Sequence, residues 1–227
     1  MIKQLKILAI IVACSVSITS FAQKNASDKD TDSAYLKVVT ERAAKIVDGL
    51  KITDSAKYIR VRDLIAQQYK NLNDIQGIRD GKIKAAKSSG RAKASIDSLV
   101  KNIENEVDAN LYKLHFEYEA KLLVEITPYQ ISQVKDGMTY GVLPKTYGAY
   151  LDMLPNLTEQ QKAQIYAWLY EAREHAMDAG SSEKKHAWFG KYKGRINNYL
   201  SAAGIDMKKA GEEWQQRIKA RETQGGE

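Results

Sequence analysis

The sequence predicts an all-α protein, a multi-helix bundle in which two long helices precede shorter helices and a C-terminal helical hairpin. Apolar residues recur every three or four positions through nearly all of the chain after residue 31, whereas two-residue alternation is nearly absent. The 227 residues include only three prolines, so few positions forbid a continuous helix. We therefore predict a single helical domain over residues 32–222, followed by a polar tail at residues 223–227.

The first 22 residues have the three parts of a secretory signal peptide in the expected order. Lys3 and Lys6 form the basic part, residues 7–16 form the apolar part, and small residues lead to Ala22. The apolar part is shorter than the roughly 20 residues that a membrane-spanning helix needs. We predict cleavage after Ala22, a disordered polar lead-in at residues 23–31, and an exported protein that is periplasmic or extracellular.

A second way of processing the N-terminus stays open, because residues 11–14 (IVAC) also resemble a lipobox. In that case Cys14, the single cysteine of the chain, would become the lipid-anchored first residue of the mature protein. Cleavage after Ala22 instead removes Cys14, which leaves the mature chain without a thiol for a disulfide or a metal site. The intact mass of the exported protein distinguishes the two forms.

The net charge limits the kinds of molecule that we expect this protein to bind. The formal charge of the chain is +7, and removal of Lys3 and Lys6 with the signal peptide lowers it by two, to +5. An exported protein with this charge meets acidic polysaccharides, anionic lipid head groups and envelope proteins rather than nucleic acid. We therefore expect an acidic polysaccharide or an envelope protein as the partner, and no transmembrane segment in the mature chain.

Helix boundaries follow from the apolar pattern and from turn residues. Gly90 belongs to the turn between the two long helices, and Gly180 and Gly204 mark helix ends. An irregular stretch is predicted at residues 136–148, where glycines and a proline interrupt the pattern. The predicted helices span residues 32–48, 54–86, a long segment after Gly90 that reaches residue 122, 128–136, a brief segment that ends at residue 154, 159–179, 183–203 and 206–222.

Two helix starts carry a capping-box pattern, in which a threonine at the N-cap is followed three residues later by a glutamine. The pairs are Thr127 with Gln130 and Thr158 with Gln161. The second pair lies in residues 157–161 (LTEQQ), which resemble the LTxxQ motif of the small helical periplasmic chaperones of the Spy and CpxP type. That resemblance implies chaperone activity, whereas a capping box accounts for the same residues through helix initiation alone.

Three segments, which together cover more of the chain, resemble a second family. They are ITPYQ (residues 126–130), VKDGMTYGVLPKTYGAYLDMLPNLTEQQ (134–161) and EAREHAMDAGSSEKKHAWFGKYKGRINNYLSAAG (171–204). Together they resemble the secreted Bacteroidetes family known as domain of unknown function 3826. Members are often encoded beside genes for polysaccharide uptake and breakdown, so the resemblance implies a role in polysaccharide utilisation. It implies no particular activity and no catalytic residues.

The helical hairpin at residues 159–203 holds the candidate catalytic residues. His175 and His186 lie at similar distances from its turn, so an antiparallel hairpin is expected to bring the two imidazoles together. Glu171 and Asp178 share the helix face of His175 and would flank them. Such a cluster suits a divalent cation or proton transfer near neutral pH. The alternative is a surface pair of Glu171 with His175 and an exposed His186.

Aromatic rings and positive charges are mixed in the second helix of this hairpin, which suits an anionic sugar polymer. Gly190 and Gly194 lie one turn apart there, which predicts close packing of another helix or, alternatively, a ligand groove. Tyr192 falls on the apolar stripe and is expected in the core. The stretch 136–148 is a second candidate, or else a plain connector. The candidate ligand-binding residues are Trp168, Trp188, Lys191, Lys193, Arg195, Asn197, Tyr140, Lys145 and Tyr147.

Three functions fit the sequence. Motifs for an esterase nucleophile, a zinc protease, a phosphate loop or a nucleotide site are absent from it, and no cofactor is indicated. We expect an exported, non-enzymatic helical protein that binds a carbohydrate or a partner protein in polysaccharide utilisation. One alternative is an enzyme acting on an acidic glycan, with His175 or His186 as the base and Arg195 or Lys193 neutralising a substrate carboxylate. The other is a periplasmic chaperone.

Overall fold

The computed structural model describes the backbone of residues 15–224 and the side chains of residues 32–223. Over this range the chain forms eight helices and no β-strand, which confirms the all-α prediction. None of these helices is long and apolar enough to cross a membrane. The helices are α1 (Ser15–Asp48), α2 (Ser55–Lys87), α3 (Lys93–Glu125), α4 (Pro128–Met138), α5 (Val142–Met153), α6 (Glu159–Met177), α7 (Ser182–Ala202) and α8 (Met207–Gln224).

Helix α1 extends further toward the N-terminus than the apolar pattern predicted. It begins at Ser15 rather than at Asp32, so the backbone of residues 23–31 is helical where we predicted a disordered lead-in. The signal-peptide prediction concerns the first 22 residues, of which the first 14 lie outside the described residues. Cleavage after Ala22 and the alternative lipidation of Cys14 therefore stay predictions.

Helices α1, α2 and α3 form an antiparallel three-helix unit. The Tyr35 hydroxyl of α1 donates to the Tyr69 carbonyl of α2 over 3.3 Å. The Tyr58 hydroxyl of α2 donates to the Asp48 carboxylate, at the end of α1, over 2.8 Å. Because α2 and α3 each have 33 residues, each is about 50 Å long. These two are the long scaffold helices that the sequence predicted.

The first apolar core lies among α1, α2 and α3, with further residues from α4 and the end of α6. Val39, Ala43 and Val47 of α1 are at most 1% exposed, and their spacing of four keeps them on one helix face. Val38, the residue before Val39, is 52% exposed, so the core face of α1 passes through Val39. Packing against the other helices thus decides which face of a helix is buried, even where the apolar period of its sequence is clear.

A second apolar core lies among α5, α6, α7 and α8. Helices α6 and α7 form the predicted hairpin, and Ile165, Leu169, Phe189 and Ile196 are at most 1% exposed between them. Tyr192 is 5% exposed in the same core, which confirms its prediction as a core residue. The hairpin is therefore held by the apolar stripes that its sequence predicted.

Helix α4 and the end of α6 join the two cores. Helix α4 contacts α1, α3, α5 and α6, and Met177 at the end of α6 belongs to the first core. The buried Lys185 of α7 donates to the Ala176 and Met177 carbonyls, at 3.0 Å each, and so caps the end of α6. Between α3 and the α6–α7 hairpin, this arrangement leaves an open groove.

The stretch 136–148, predicted to be irregular, is mostly helical. Helix α4 ends at Met138, α5 begins at Val142, and Tyr140 and Gly141 between them adopt left-handed backbone angles, with φ of 61° and 64°. Pro144 lies in the first turn of α5, where a backbone N–H has no intrahelical acceptor to lose. Proline there starts a helix instead of interrupting one.

The capping predictions are confirmed, and one packing prediction is wrong. Thr127 and Thr158 each accept the backbone N–H three residues later, and the glutamine there accepts from the threonine backbone. Gly190 and Gly194, by contrast, were predicted to let another helix pack closely. Among the described residues, a Cβ at either position would meet no neighbouring group within 4 Å, so this face of α7 is open.

A pair of glycine substitutions tests the packing of α4 on α1. A Cβ at Gly137 would come within 2.9 Å of the branched Ile46 side chain, and crowding of this kind costs about 1–3 kcal/mol. We expect Gly137→Ala to lower the free energy of unfolding, measured by urea denaturation. The matched control Gly190→Ala is expected to raise it by up to about 1 kcal/mol, because alanine is the better helix former in open space. Equal effects at the two positions would contradict the close α1–α4 contact.

Candidate functional site

The groove between α3 and the α6–α7 hairpin has a volume of about 990 Å³. Helix α2 closes one end through Gln76, which lies against the hairpin turn: a Cβ at Gly180 would come within 2.5 Å of the Gln76 Cγ. Helix α4 supplies part of the floor through Lys135. Five helices and one turn therefore meet at this site, and its size suits a ligand of several rings or a segment of a polymer.

Aromatic rings form the two walls of the groove. On α3, Tyr112 is 69% exposed and Phe116 is 52% exposed, with ring centroids 4.8 Å apart in an edge-to-face arrangement. On the hairpin, the His175 ring of α6 stacks on the Trp188 ring of α7 at 4.3 Å. Tyr170 completes this wall, with the Arg173 guanidinium 4.8 Å from its ring centroid. Large apolar rings exposed within a concave surface are typical of a binding site.

The floor of the groove is a network of ion pairs centred on the Glu174 carboxylate. Lys135 of α4 donates to it over 2.7 Å, His115 of α3 lies 3.4 Å from it, and Arg173 of α6 lies 3.3 Å from it. Lys135 also reaches the Glu119 carboxylate of α3 at 3.3 Å. One carboxylate thus binds cations from three helices.

The cations of this network are deeply buried. The side chain of Arg173 is 1% exposed and that of Lys135 is 4% exposed. Arg173 has a second set of partners on α4, where it donates to the Ser132 hydroxyl and to the Asp136 carboxylate, both over 2.9 Å. A buried charge is tolerated only when it is paired and hydrogen-bonded, as both of these are. The network therefore ties α3, α4 and α6 together beneath the groove.

His115 is a cation at neutral pH. A hydrogen bond with Asp178 over 2.9 Å and a second with Glu174 raise the pKa of His115 to about 9, against the opposing effect of burial. Burial by itself raises the pKa of Glu174, but hydrogen bonds from His115 and Lys135 outweigh it and lower that pKa to about 2. The charged forms of both groups are therefore stable over a wide pH range.

Two acceptor oxygens at the α2 end of the groove have no donor within the described residues. They are the Asp178 Oδ1 and the Gln76 Oε1, and both are shielded from solvent in the structure. The other oxygen of Asp178 is the one that binds His115. Buried acceptors of this kind cost free energy until a donor reaches them. Because both oxygens are shielded, a donor reaches them only if the side chains that cover them shift.

The charges that line the groove nearly balance. Three cations lie at its rim (Arg79, Lys184 and Lys191) and two in its floor (His115 and Lys135), against the carboxylates of Asp108, Glu119, Glu174 and Asp178. Lys191 lies over the Trp188 ring, 5.0 Å from its centroid, so the ring face carries a cation beside it. The groove therefore has no strong preference for a polyanion.

The structure separates the two histidines that the hairpin was expected to bring together. His175 stacks on Trp188 in the groove, whereas His186 stacks on Tyr140 of the α4–α5 turn at 5.5 Å. Asp178 pairs with His115 instead of flanking them, and no group of three or more metal-binding side chains occurs among the described residues. Helices α6 and α7 do form a hairpin, but each helix is rotated so that the two imidazoles contact different residues.

The remaining predicted residues fall in two further places. Glu171 lies 3.8 Å from Arg195, whose guanidinium is 4.6 Å from the Trp168 ring centroid, on the hairpin surface next to the groove. The other predicted residues line neither the groove nor this hairpin surface. Lys145 donates to the Tyr140 carbonyl over 3.2 Å, and the Tyr147 ring meets the Tyr166 ring edge-on at 5.3 Å. Asn197 accepts from the Tyr150 hydroxyl over 2.7 Å, and Lys193 is exposed on α7.

Sequence reasoning missed the residues that build the floor. His115, Lys135 and Glu174 each lie on a different helix, and each occurs among other charged or polar residues that resemble an ordinary solvated face. One signal was available for Arg173, which is four residues after Leu169 and four before Met177, on the apolar stripe of α6. A cation at a core position predicts buried partners, although it does not say which ones they are.

The fold and the groove define the chain as an all-α protein whose helices enclose an aromatic groove over buried ion pairs. The chain belongs to the family described as "Protein of unknown function (DUF3826)", which matches residues 36–220. This confirms the second resemblance that the sequence carries. No curated protein matches the chain. The chaperone resemblance and the bacterial group stay predictions.

The pKa of His115 predicts how stability depends on pH. Because the folded value of about 9 lies above the ordinary value of 6.5, the pairing of His115 stabilises the fold fully below pH 6.5. That contribution, on the order of 3 kcal/mol, is lost as the pH rises through about 9. We expect His115→Gln to be destabilised at pH 6 and to show a flatter loss of stability between pH 6 and pH 9.5. His186→Gln, an exposed histidine, is the control and should follow the wild type in urea denaturation.

Removal of the central carboxylate tests the network as a whole. Glu174→Gln leaves the buried Lys135 and Arg173 with fewer negative partners, and breaking a buried ion pair costs about 3–5 kcal/mol. Glu171→Gln is the matched control on the same helix, because its side chain is 49% exposed and its pair with Arg195 contributes at most about 1 kcal/mol. Similar midpoints of urea denaturation for the two variants would show that the network does not hold the helices together.

Proposed function

We propose that this protein binds a glycan chain non-covalently in the groove between α3 and the α6–α7 hairpin. The observation that carries the proposal is the pairing of exposed aromatic rings, on both walls, with a floor of fixed hydrogen-bonding groups. The signal peptide predicted for the first 22 residues would place this binding outside the cytoplasm. The polysaccharide setting implied by the family resemblance agrees with it.

The walls provide what the face of a sugar ring requires. A sugar has an apolar face of C–H groups, and a flat aromatic ring covers that face without competing for its hydroxyls. The stacked pair of His175 and Trp188 is partly exposed on one side of the groove, and Phe116 presents such a surface on the other. Rings on opposite walls favour a ligand that offers two apolar faces, as a pyranose ring does.

The floor provides what the edge of a sugar ring requires. Hydroxyl groups both donate and accept hydrogen bonds, and the groove holds charged partners of both kinds. Asp178 and Gln76 each present an acceptor oxygen that lacks a donor. A sugar hydroxyl placed between the rings can donate to one of these oxygens once the side chains that cover it shift, and the new hydrogen bond then recovers the free energy that an unpaired acceptor costs.

The balance of charges favours a neutral glycan over an acidic one. Five cations and four carboxylates line the groove, and most of the floor cations already bind carboxylates within 3.4 Å. An acidic sugar entering the floor would have to displace Glu174 or Asp178 from these partners. The acidic polysaccharide expected from the net charge is therefore the less favoured ligand of this groove.

The protonation states of two floor groups, His115 and Glu174, favour a binding role over a catalytic role for these two residues. His115, with a pKa of about 9, is protonated at neutral pH and so does not accept a proton there, while Glu174, with a pKa of about 2, does not donate one. Of the described residues that line the groove, none is a serine, threonine or cysteine. The arrangement supports a rigid recognition surface.

Affinity gel electrophoresis tests the proposal. The probes are soluble xylan, mixed-linkage glucan, galactomannan, arabinogalactan and homogalacturonan, the last as the acidic member of the panel. We expect retardation by at least one neutral polymer, and we expect Trp188→Ala to weaken it roughly tenfold or more, since one well-placed aromatic contact is worth about 1.4 kcal/mol. Tyr129→Ala is the matched control, because Tyr129 is 74% exposed on α4 and does not line the groove.

Each outcome of this experiment has a defined meaning. Unchanged mobility of the wild type with every polymer overturns the proposal. Retardation by homogalacturonan alone overturns the preference for a neutral chain. Release of reducing ends from a retained polymer, measured in the same samples, would show an enzyme instead of a binding protein.

A further inference from the structure

A strip of rings and charge continues from the groove along the outside of the α6–α7 hairpin. We call it the seam strip and define it by Trp168 of α6 together with Arg195 and Tyr199 of α7. The Arg195 guanidinium lies 4.6 Å from the Trp168 ring centroid, and the Tyr199 ring meets Trp168 edge-on at 5.3 Å. None of the three lines the groove.

The seam strip is continuous with the groove wall. Trp188 and His175, the last rings of the groove, lie 6.5 Å and 6.3 Å from the Tyr192 ring. Burial and, after it, the nearby Glu171 carboxylate raise the pKa of Tyr192, and that carboxylate reaches Arg195 at 3.8 Å. Each step along the hairpin therefore places a ring or a charge beside the previous one.

Helical spacing keeps these residues on one surface. On α6 the steps from Trp168 to Glu171 to His175 are three and four residues, and on α7 those from Trp188 to Arg195 to Tyr199 are seven and four. Such steps follow one helix face. The eleven residues from Trp188 to Tyr199 rise about 16 Å along α7, which adds a length of surface for several more sugar rings.

The strip is partly open to solvent, since Trp168 and Tyr199 are half-buried against the second core and its charged groups are exposed. The side chain of Arg195 is 57% exposed and that of Glu171 is 49% exposed, and an exposed pair of this kind contributes little to stability. Arg195 stacks on Trp168 and keeps its planar N–H groups free to donate to hydroxyls. Tyr192, by contrast, is 5% exposed and supports the strip from beneath.

We infer that the seam strip is a second subsite for the glycan that enters the groove, and that the ligand is consequently a polymer longer than the groove itself. The inference rests on the proposed function, because the ligand of the strip is the same glycan chain that we propose for the groove. A small free sugar would fill the groove alone, whereas a chain leaving past Trp188 passes over Trp168 and Tyr199.

Chain-length dependence tests this inference. The probes are the di-, tetra- and hexasaccharides of the polysaccharide from the five-member panel that retards the wild type most, titrated by calorimetry. We expect the hexasaccharide to bind at least roughly tenfold tighter than the disaccharide. Trp168→Ala should remove that advantage and leave disaccharide affinity unchanged, whereas Trp188→Ala should weaken every probe. Tyr129→Ala is the control for loss of an exposed ring.

A second variant keeps the test independent of folding, since Trp168 is partly buried against the second core. Arg195→Ala changes a largely exposed side chain and should also reduce the hexasaccharide affinity, with unchanged urea denaturation. Equal affinity for the di- and hexasaccharide, or a hexasaccharide affinity that neither variant changes, overturns the seam strip and leaves the groove in place. If no polysaccharide of the panel is retained, the groove proposal fails, and the strip fails with it.

Discussion

Much of the structure depends on one carboxylate, that of Glu174. Three cations approach it, His115 from α3, Lys135 from α4 and Arg173 from α6 itself, at distances between 2.7 and 3.4 Å. Charges buried to this degree are stable only with their partners in place. The helices therefore have little freedom to shift against one another at this point, and the position of α3 relative to the hairpin is set beneath the groove, by ions, more than at its walls.

This constraint explains why a groove exists between two well-packed cores. Met177 and the α4 residues carry apolar packing across the base, but above them the charges of Lys135 and Glu174 need polar surroundings and prevent α3 from closing on the hairpin. The rings of Phe116 and Trp188 consequently stay partly exposed on facing walls. An apolar floor would allow the walls to collapse into one continuous core. The same ion pairs that stabilise the fold thus keep the aromatic walls of the groove apart and line its floor with hydrogen-bonding groups.

The charged floor also keeps His115 protonated at neutral pH. A histidine beside a carboxylate is a familiar catalytic arrangement, but here Asp178 and Glu174 together raise the pKa of His115 to about 9. The group is then a fixed cation that holds one oxygen of Asp178, while the other oxygen is buried without a donor. Such rigidity would favour the glycan binding that we propose, because each flexible side chain that becomes ordered on binding reduces the affinity.

The sequence by itself determined the local structure: the all-α class, the start of each capped helix at Thr127 and Thr158, and the apolar stripes that pair α6 with α7. These follow from interactions between residues three or four positions apart, which a single chain segment contains in full. Only the tertiary structure decided that His115 and Glu174, 59 positions apart in the sequence, share a hydrogen-bonded network. The same holds for His175 and His186, because a rotation of about 100° per residue turns a small error in helix orientation into a different neighbour. Helical periodicity fixes which residues share a face, but the direction of that face is set by the packing of all the other helices.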